Sequence, residues 1–118
     1  MSEFSVHRKD MDEISVLNLD GYLDAHTAPS FEESLKQSVD EGRFKIIVNC
    51  DKLAYISSAG LGVFMGYIED VRANNGDIKM SNMSEKVFKI FDLLGFPSLY
   101  EIVDEEGEAV DKFSNVNN

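Results

Sequence analysis

Apolar positions along the chain change period from block to block, and each change marks a new element. Phe4 and Val6 open a weak alternation that runs to Lys9, and Ile14, Val16 or Leu17, and Leu19 make a clearer one. Met11-Asp12 is the hairpin turn expected between these two strands. Asp20-Gly21 ends the second strand, and Gly21 to Thr27 forms a loop before a helix capped by Thr27, with Pro29 in its first turn. On that helix Ala28, Phe31, Leu35 and Val39 share one face while Glu32, Glu33, Lys36 and Asp40 face water, and Gly42 closes it.

The next run, Phe44 to Cys50, is too densely apolar for a strand wetted on one side and reads as a strand covered on both faces. Leu61, Phe64, Met65, Ile68 and Val71 then repeat at helical spacing until Asn74-Asn75-Gly76 stops the helix. A short strand from Asp77 to Ser81 follows. Ser84 caps a third helix whose Val87, Ile90, Phe91 and Leu94 form a stripe ended by Gly95, with Pro97 beyond it. Leu99 to Val103 reads as a last strand. The acidic stretch from 104 onward is expected to hold at most one loose helical turn before a disordered tail, leaving a core of about 4–103. This order predicts a single α/β domain with a mixed sheet of four to five strands and helices packed on it.

The junction between the buried strand and the second helix carries the functional interest. Tyr55-Ile56-Ser57-Ser58-Ala59-Gly60 places two hydroxyls where a strand stops and a helix starts, and Ser58 falls at the expected N-cap. The positive end of the helix dipole there tolerates an anion, including a phosphate on Ser58. Opposite the core stripe, at 100° per residue, lie Ala59, Gly62, Val63 and Gly66, a small-residue face that ends in Glu69 and Asp70. Each interior glycine costs about 1 kcal/mol relative to alanine, and close approach by another protein is a reason to keep both. The bland alternative is that they accommodate a loop of this same chain.

Composition narrows the classes. With 22 acidic against 11 basic residues, the formal charge of -11 disfavours contact with nucleic acid and with anionic membranes. The one cysteine, Cys50, excludes an internal disulfide and reads as a core thiol, which suits a reducing compartment. The polar N-terminus lacks a signal-like segment and no run of about 18 apolar residues is present, so a cytoplasmic location is expected. Gly60-Leu61-Gly62 is followed by Gly66, one residue too late for a dinucleotide fingerprint, and no P-loop lysine follows. The two histidines, His7 and His26, sit in no ligand-spaced motif, so neither a metal nor a cofactor is expected. A hydrolase built from Ser57 or Ser58 with Asp24 and His26 lacks the glycine that precedes a nucleophile in an elbow.

Gly21-Tyr22-Leu23-Asp24-Ala25-His26-Thr27-Ala28, the strand Ile46 to Asn49, Tyr55 to Val63 and Phe91-Asp92-Leu93-Leu94-Gly95 together resemble the STAS domain of bacterial anti-sigma factor antagonists. The resemblance runs from about Phe4 to Val103. It implies a non-catalytic switch that binds an anti-sigma factor serine kinase, releases a sigma factor, is turned off by phosphorylation and is reset by a PP2C-type phosphatase. The family motif is commonly Asp-Ser-Ser/Thr-Gly-Leu. By position the phosphorylated serine is Ser58, with Ser57 as the alternative acceptor; Ser57 stands where the family has aspartate and Ala59 where it has the second hydroxyl. The partner-binding surface implied comprises Asp24, His26, Thr27, Ser57, Ser58, Ala59, Gly62, Val63 and Gly66. The competing reading is an anion- or nucleotide-sensing or scaffold module without phosphorylation.

Overall fold

The computed structural model describes residues 4–114. The strands are β1 (Phe4–Met11), β2 (Ile14–Leu23), β3 (Lys45–Ile56), β4 (Asp77–Ser81) and β5 (Ile102–Val103); the helices are α1 (Ala28–Asp40), α2 (Ser58–Ala73), α3 (Glu85–Leu93) and α4 (Glu106–Ser114). They build one five-stranded sheet in the order β1-β2-β3-β4-β5. β1 pairs antiparallel with β2 through a tight turn at Asp12-Glu13, and every later pairing is parallel because each connection passes through a helix. The α/β mixed sheet predicted from the periodicities is therefore the fold.

β3 is the two-sided strand its apolar run suggests. Ile46, Val48 and Cys50 enter the main core beneath α1, α2 and α3, while Ile47 joins Ile14, Val16, Ala109 and Phe113 in a smaller core on the other face. Phe31, Phe64, Phe91, Phe96 and Tyr100 form a chain of mostly edge-to-face ring contacts through the main core. Ser84 caps α3 as expected, accepting from the Val87 N–H at 3.2 Å, and Gly95 ends it with φ of 77°.

Several boundaries differ from the sequence expectation. β2 does not stop at Asp20-Gly21 but continues to Leu23, because Gly21 adopts φ of 110° and the ladder with β3 absorbs the irregularity through register shifts. β3 likewise runs past Cys50 to Ile56. The final strand shrinks to Ile102–Val103, since the N–H groups of Leu99 and Tyr100 donate back to Phe96 O around the 3₁₀ turn at Phe96–Ser98. Met65, expected in the core stripe of α2, is 58% exposed, and Leu94 lies past the end of α3 in solvent.

The acidic stretch is the largest correction. It folds as α4, which buries Ala109 and Phe113 on the free side of the sheet, and Glu106 accepts from Lys9 Nζ at 3.1 Å and Asn49 Nδ2 at 3.0 Å. Two apolar side chains four residues apart make one helical face that has a partner only once the sheet exists. The tail expected at 115–118 lies outside the described residues.

Candidate functional site

The turn between β3 and α2 is held by backbone. Ser57 is extended, with φ of -103° and ψ of 174°, and its N–H donates to Leu23 O at 2.9 Å, tying the end of β3 to the end of β2. Its carbonyl accepts the first helical bond, from Leu61 N–H at 3.1 Å. The N-cap is thus Ser57 and not Ser58 as the sequence suggested; Ser58 is the first residue of the helix. The Ser57 side chain does not cap, and its Oγ is buried without a hydrogen-bond partner. Ser58 and Ala59 are exposed. No acidic side chain occupies the first turn of α2 to offset the positive end of its dipole.

Gly60 allows the helix to sit this close to the sheet. A Cβ there would lie 2.7 Å from Leu23 Cγ and 3.0 Å from Ile56 Cγ1, both in the core. Gly62 and Gly66 are different: a Cβ at either would meet no heavy atom within 4 Å. They accommodate no loop of the described chain. With Ala59 they line one wall of an open groove of about 510 Å³, whose other wall is Ala25, Ala28 and Pro29. Tyr67 OH reaches Glu32 Oε2 at 3.4 Å across the two helices. Val63, expected on the exposed face, is only 9% exposed; it packs in the main core and presents itself to the groove only as floor.

The loop Asp24 to Thr27 forms the rim beside this groove. Asp24 Oδ1 accepts from the backbone N–H groups of His26 at 3.0 Å and Thr27 at 3.1 Å. Thr27, which was expected to cap α1 with its side chain, instead donates from Oγ1 to Tyr22 O at 2.7 Å and accepts from Asp24 N–H at 2.9 Å. Thr27 is therefore buried and Asp24 half-buried as scaffolding, while His26 and Ala25 stand exposed. Ser57 and Thr27 shape the site from beneath; Ser58, Ala59, Gly62, Gly66 and His26 are the members that reach its surface.

Other chemistry has little footing. With its carboxylate engaged by the loop backbone, Asp24 does not orient His26 as a triad would require. Among the described residues no group of three or more His, Cys, Asp or Glu is placed to hold a metal ion. Burial pushes the Cys50 thiol up to about 12, which makes it an inert core group. No helix is long and apolar enough to cross a membrane among the described residues.

One feature escaped the sequence pattern. Tyr22 and Tyr55 project into solvent side by side, ring centroids 6.1 Å apart, from neighbouring positions of β2 and β3 next to the Ser57-Ser58 turn. Tyr22 faces outward by the same alternation that turns Leu17, Leu19 and Leu23 into the core, and the register shifts between β2 and β3 set Tyr55 opposite it; the sequence pattern hides the pair because it ends β2 at Asp20-Gly21.

Comparison with known proteins places this geometry among relatives. The STAS domain family model matches residues 6–109. An anti-sigma-B factor antagonist from Listeria monocytogenes is 31% identical over 104 residues, covering 87% of this chain and 90% of the relative. The unphosphorylated form of the anti-sigma factor antagonist SpoIIAA superposes with a TM-score of 0.73 at 25% identity, covering 97% of this chain and all of that one. The phosphorylated form of the Bacillus cell fate determinant SpoIIAA superposes with a TM-score of 0.71 at 25% identity, covering 94% and 99%.

Proposed function

Because the chain belongs to the STAS domain family, we propose that it is an anti-sigma factor antagonist whose docking on an anti-sigma factor serine kinase is controlled by phosphorylation of Ser58. The observation that carries this reading is the exposed Ser58 at the start of α2, contiguous with an open groove of small residues. Ser57, the alternative acceptor, is disfavoured because its Oγ is sealed from solvent.

Unmodified Ser58 lies against the partner together with Ala59, Gly62 and Gly66, and the absence of side chains at the two glycines lets a partner element approach the helix backbone. His26 and the Asp24-braced loop form the neighbouring rim. Phosphorylation adds about 1.5 to 2 negative charges. The helix end accommodates them within this molecule, so the fold persists, but in the interface an anion lacking its own cation costs several kcal/mol and the complex separates. That SpoIIAA is known in both unphosphorylated and phosphorylated forms, each similar to this chain over nearly its full length, supports a switch that acts without refolding. Return to the binding state requires a protein phosphatase, of the PP2C type by family resemblance. The chain itself performs no catalysis.

The test is incubation with candidate anti-sigma factor kinases and ATP, followed by mass-spectrometric site mapping. Phosphate on Ser58 is the expected result, with Ser58→Asp losing kinase binding and Ser58→Ala retaining it. Transfer to another residue, or full binding by Ser58→Asp, would overturn the proposal. Tight calorimetric binding of free nucleotide by the isolated domain would favour the sensing module instead.

A further inference from the structure

A second surface stands apart from the Ser58 site. Between α3 and the last strand runs a groove of about 680 Å³ whose apolar floor is Met83, Phe88, Ile102 and Val103. Phe88 is 38% exposed there, on the flank of α3 beside the buried stripe of Val87 and Phe91. Glu85, Asp92 and Asp104 border the groove against a single cation, Lys89.

The same groove ends on an open sheet edge. Among the described residues β5 is the outermost strand and pairs with β4 alone. Met80 N–H donates to Glu101 O at 2.9 Å with Met80 opposite Ile102, and in a parallel ladder this register turns the N–H and C=O of Ile102 away from β4. One backbone donor and one acceptor are thus aimed at whatever lies along the edge. Charge then selects the occupant. An acidic rim on a chain of net charge -11 repels phosphate groups, anionic lipid and a second copy of the same face. It favours an extended segment that carries lysine or arginine between apolar side chains.

We infer that this groove docks an extended, basic and apolar segment of a partner protein, which adds to the edge of β5, seats one apolar side chain against Phe88 and sets its cations on Glu85, Asp92 and Asp104. This surface is independent of the Ser58 switch and gives the domain a second contact that persists in either phosphorylation state.

The probe is a capped hexapeptide of alternating valine and lysine, titrated into the full chain while backbone amide shifts are followed by NMR. Shifts are expected at Phe88, Ile102 and Val103. Phe88→Ala, which leaves charge unchanged, weakens the response about fivefold or more, and Asp104→Asn weakens it about two- to threefold. Ser58→Asp leaves it unaltered, so failure here is distinguishable from failure of the kinase switch. Shifts scattered over the acidic surface, an equal response to a valine-glutamate peptide, indifference to Phe88→Ala, or a concentration-dependent dimer covering Phe88 without peptide would each overturn the inference.

Discussion

The double substitution Gly62→Ala with Gly66→Ala separates the two explanations for glycine on α2 by moving stability and binding in opposite directions. A methyl at either position meets no heavy atom within 4 Å, so the folded state gains helix propensity with no clash. Replacing a helical glycine by alanine contributes about 1 kcal/mol at each of the two positions, since each gain comes from the backbone entropy of that residue. With an unfolding entropy of about 2.1 cal/mol/K per residue over 118 residues, a gain of about 2 kcal/mol raises Tm by about 8 °C. The same two methyls stand on the groove wall where a partner would rest on the helix backbone, and overpacking of about 1–3 kcal/mol weakens docking tenfold or more. Calorimetric unfolding measures the first effect and titration against the anti-sigma factor kinase proposed as the partner measures the second. Gly60→Ala is the internal control: its methyl falls 2.7 Å from Leu23 Cγ in a filled core, and it destabilises by about 1–3 kcal/mol. A stabilised double variant that binds the proposed kinase partner at wild-type strength would refute the assignment of this face as the interface. Loss of stability would refute the claim that the face is open.

Gly76→Ala is the most damaging single methyl expected, since its Cβ would fall 1.9 Å from Phe44 O; denaturant unfolding should show a loss of about 3 kcal/mol or more. Phe113→Ala removes the main anchor of α4 and should cost about 3–5 kcal/mol, with hydrogen exchange rising first in Glu106–Ser114; unchanged protection there would contradict the packing of α4. Cys50 titrates from 9 when free to about 12 when buried, so its neutral form stabilises the fold fully below pH 9 and that contribution falls away as pH rises toward 12, by up to about 1.4 kcal/mol per unit. Cys50→Ala, compared with wild type across that window, should therefore show a shallower alkaline loss of stability.

The periodicities located all five strands and three of the four helices, because each of those elements carries its own apolar face and its own stop signal. Ser84, Gly95 and Asn74-Asn75-Gly76 worked as punctuation at the positions read from the chain. Where elements ended short or ran long, the deciding partner was elsewhere in sequence. β2 and β3 extend to Leu23 and Ile56 because they pair with each other. Val63 is buried, against the single-stripe expectation, because α2 packs on the sheet and also against its neighbour α1, which covers more than one stripe of it.

For the site, the sequence alone determined its chemistry: two hydroxyls at a strand-to-helix junction, a face of small residues after them, and an acidic chain ill suited to nucleic acid. Those are properties of residue type and spacing. Only the tertiary structure decided which hydroxyl meets solvent, since the Ser57 N–H bond to Leu23 turns that side chain inward and leaves Ser58 outside. It also decided that Gly60 is buried while Gly62 and Gly66 are open, and that the acidic C-terminal stretch is a packed helix. Accessibility belongs to the assembly of several elements, and no local window of sequence contains it.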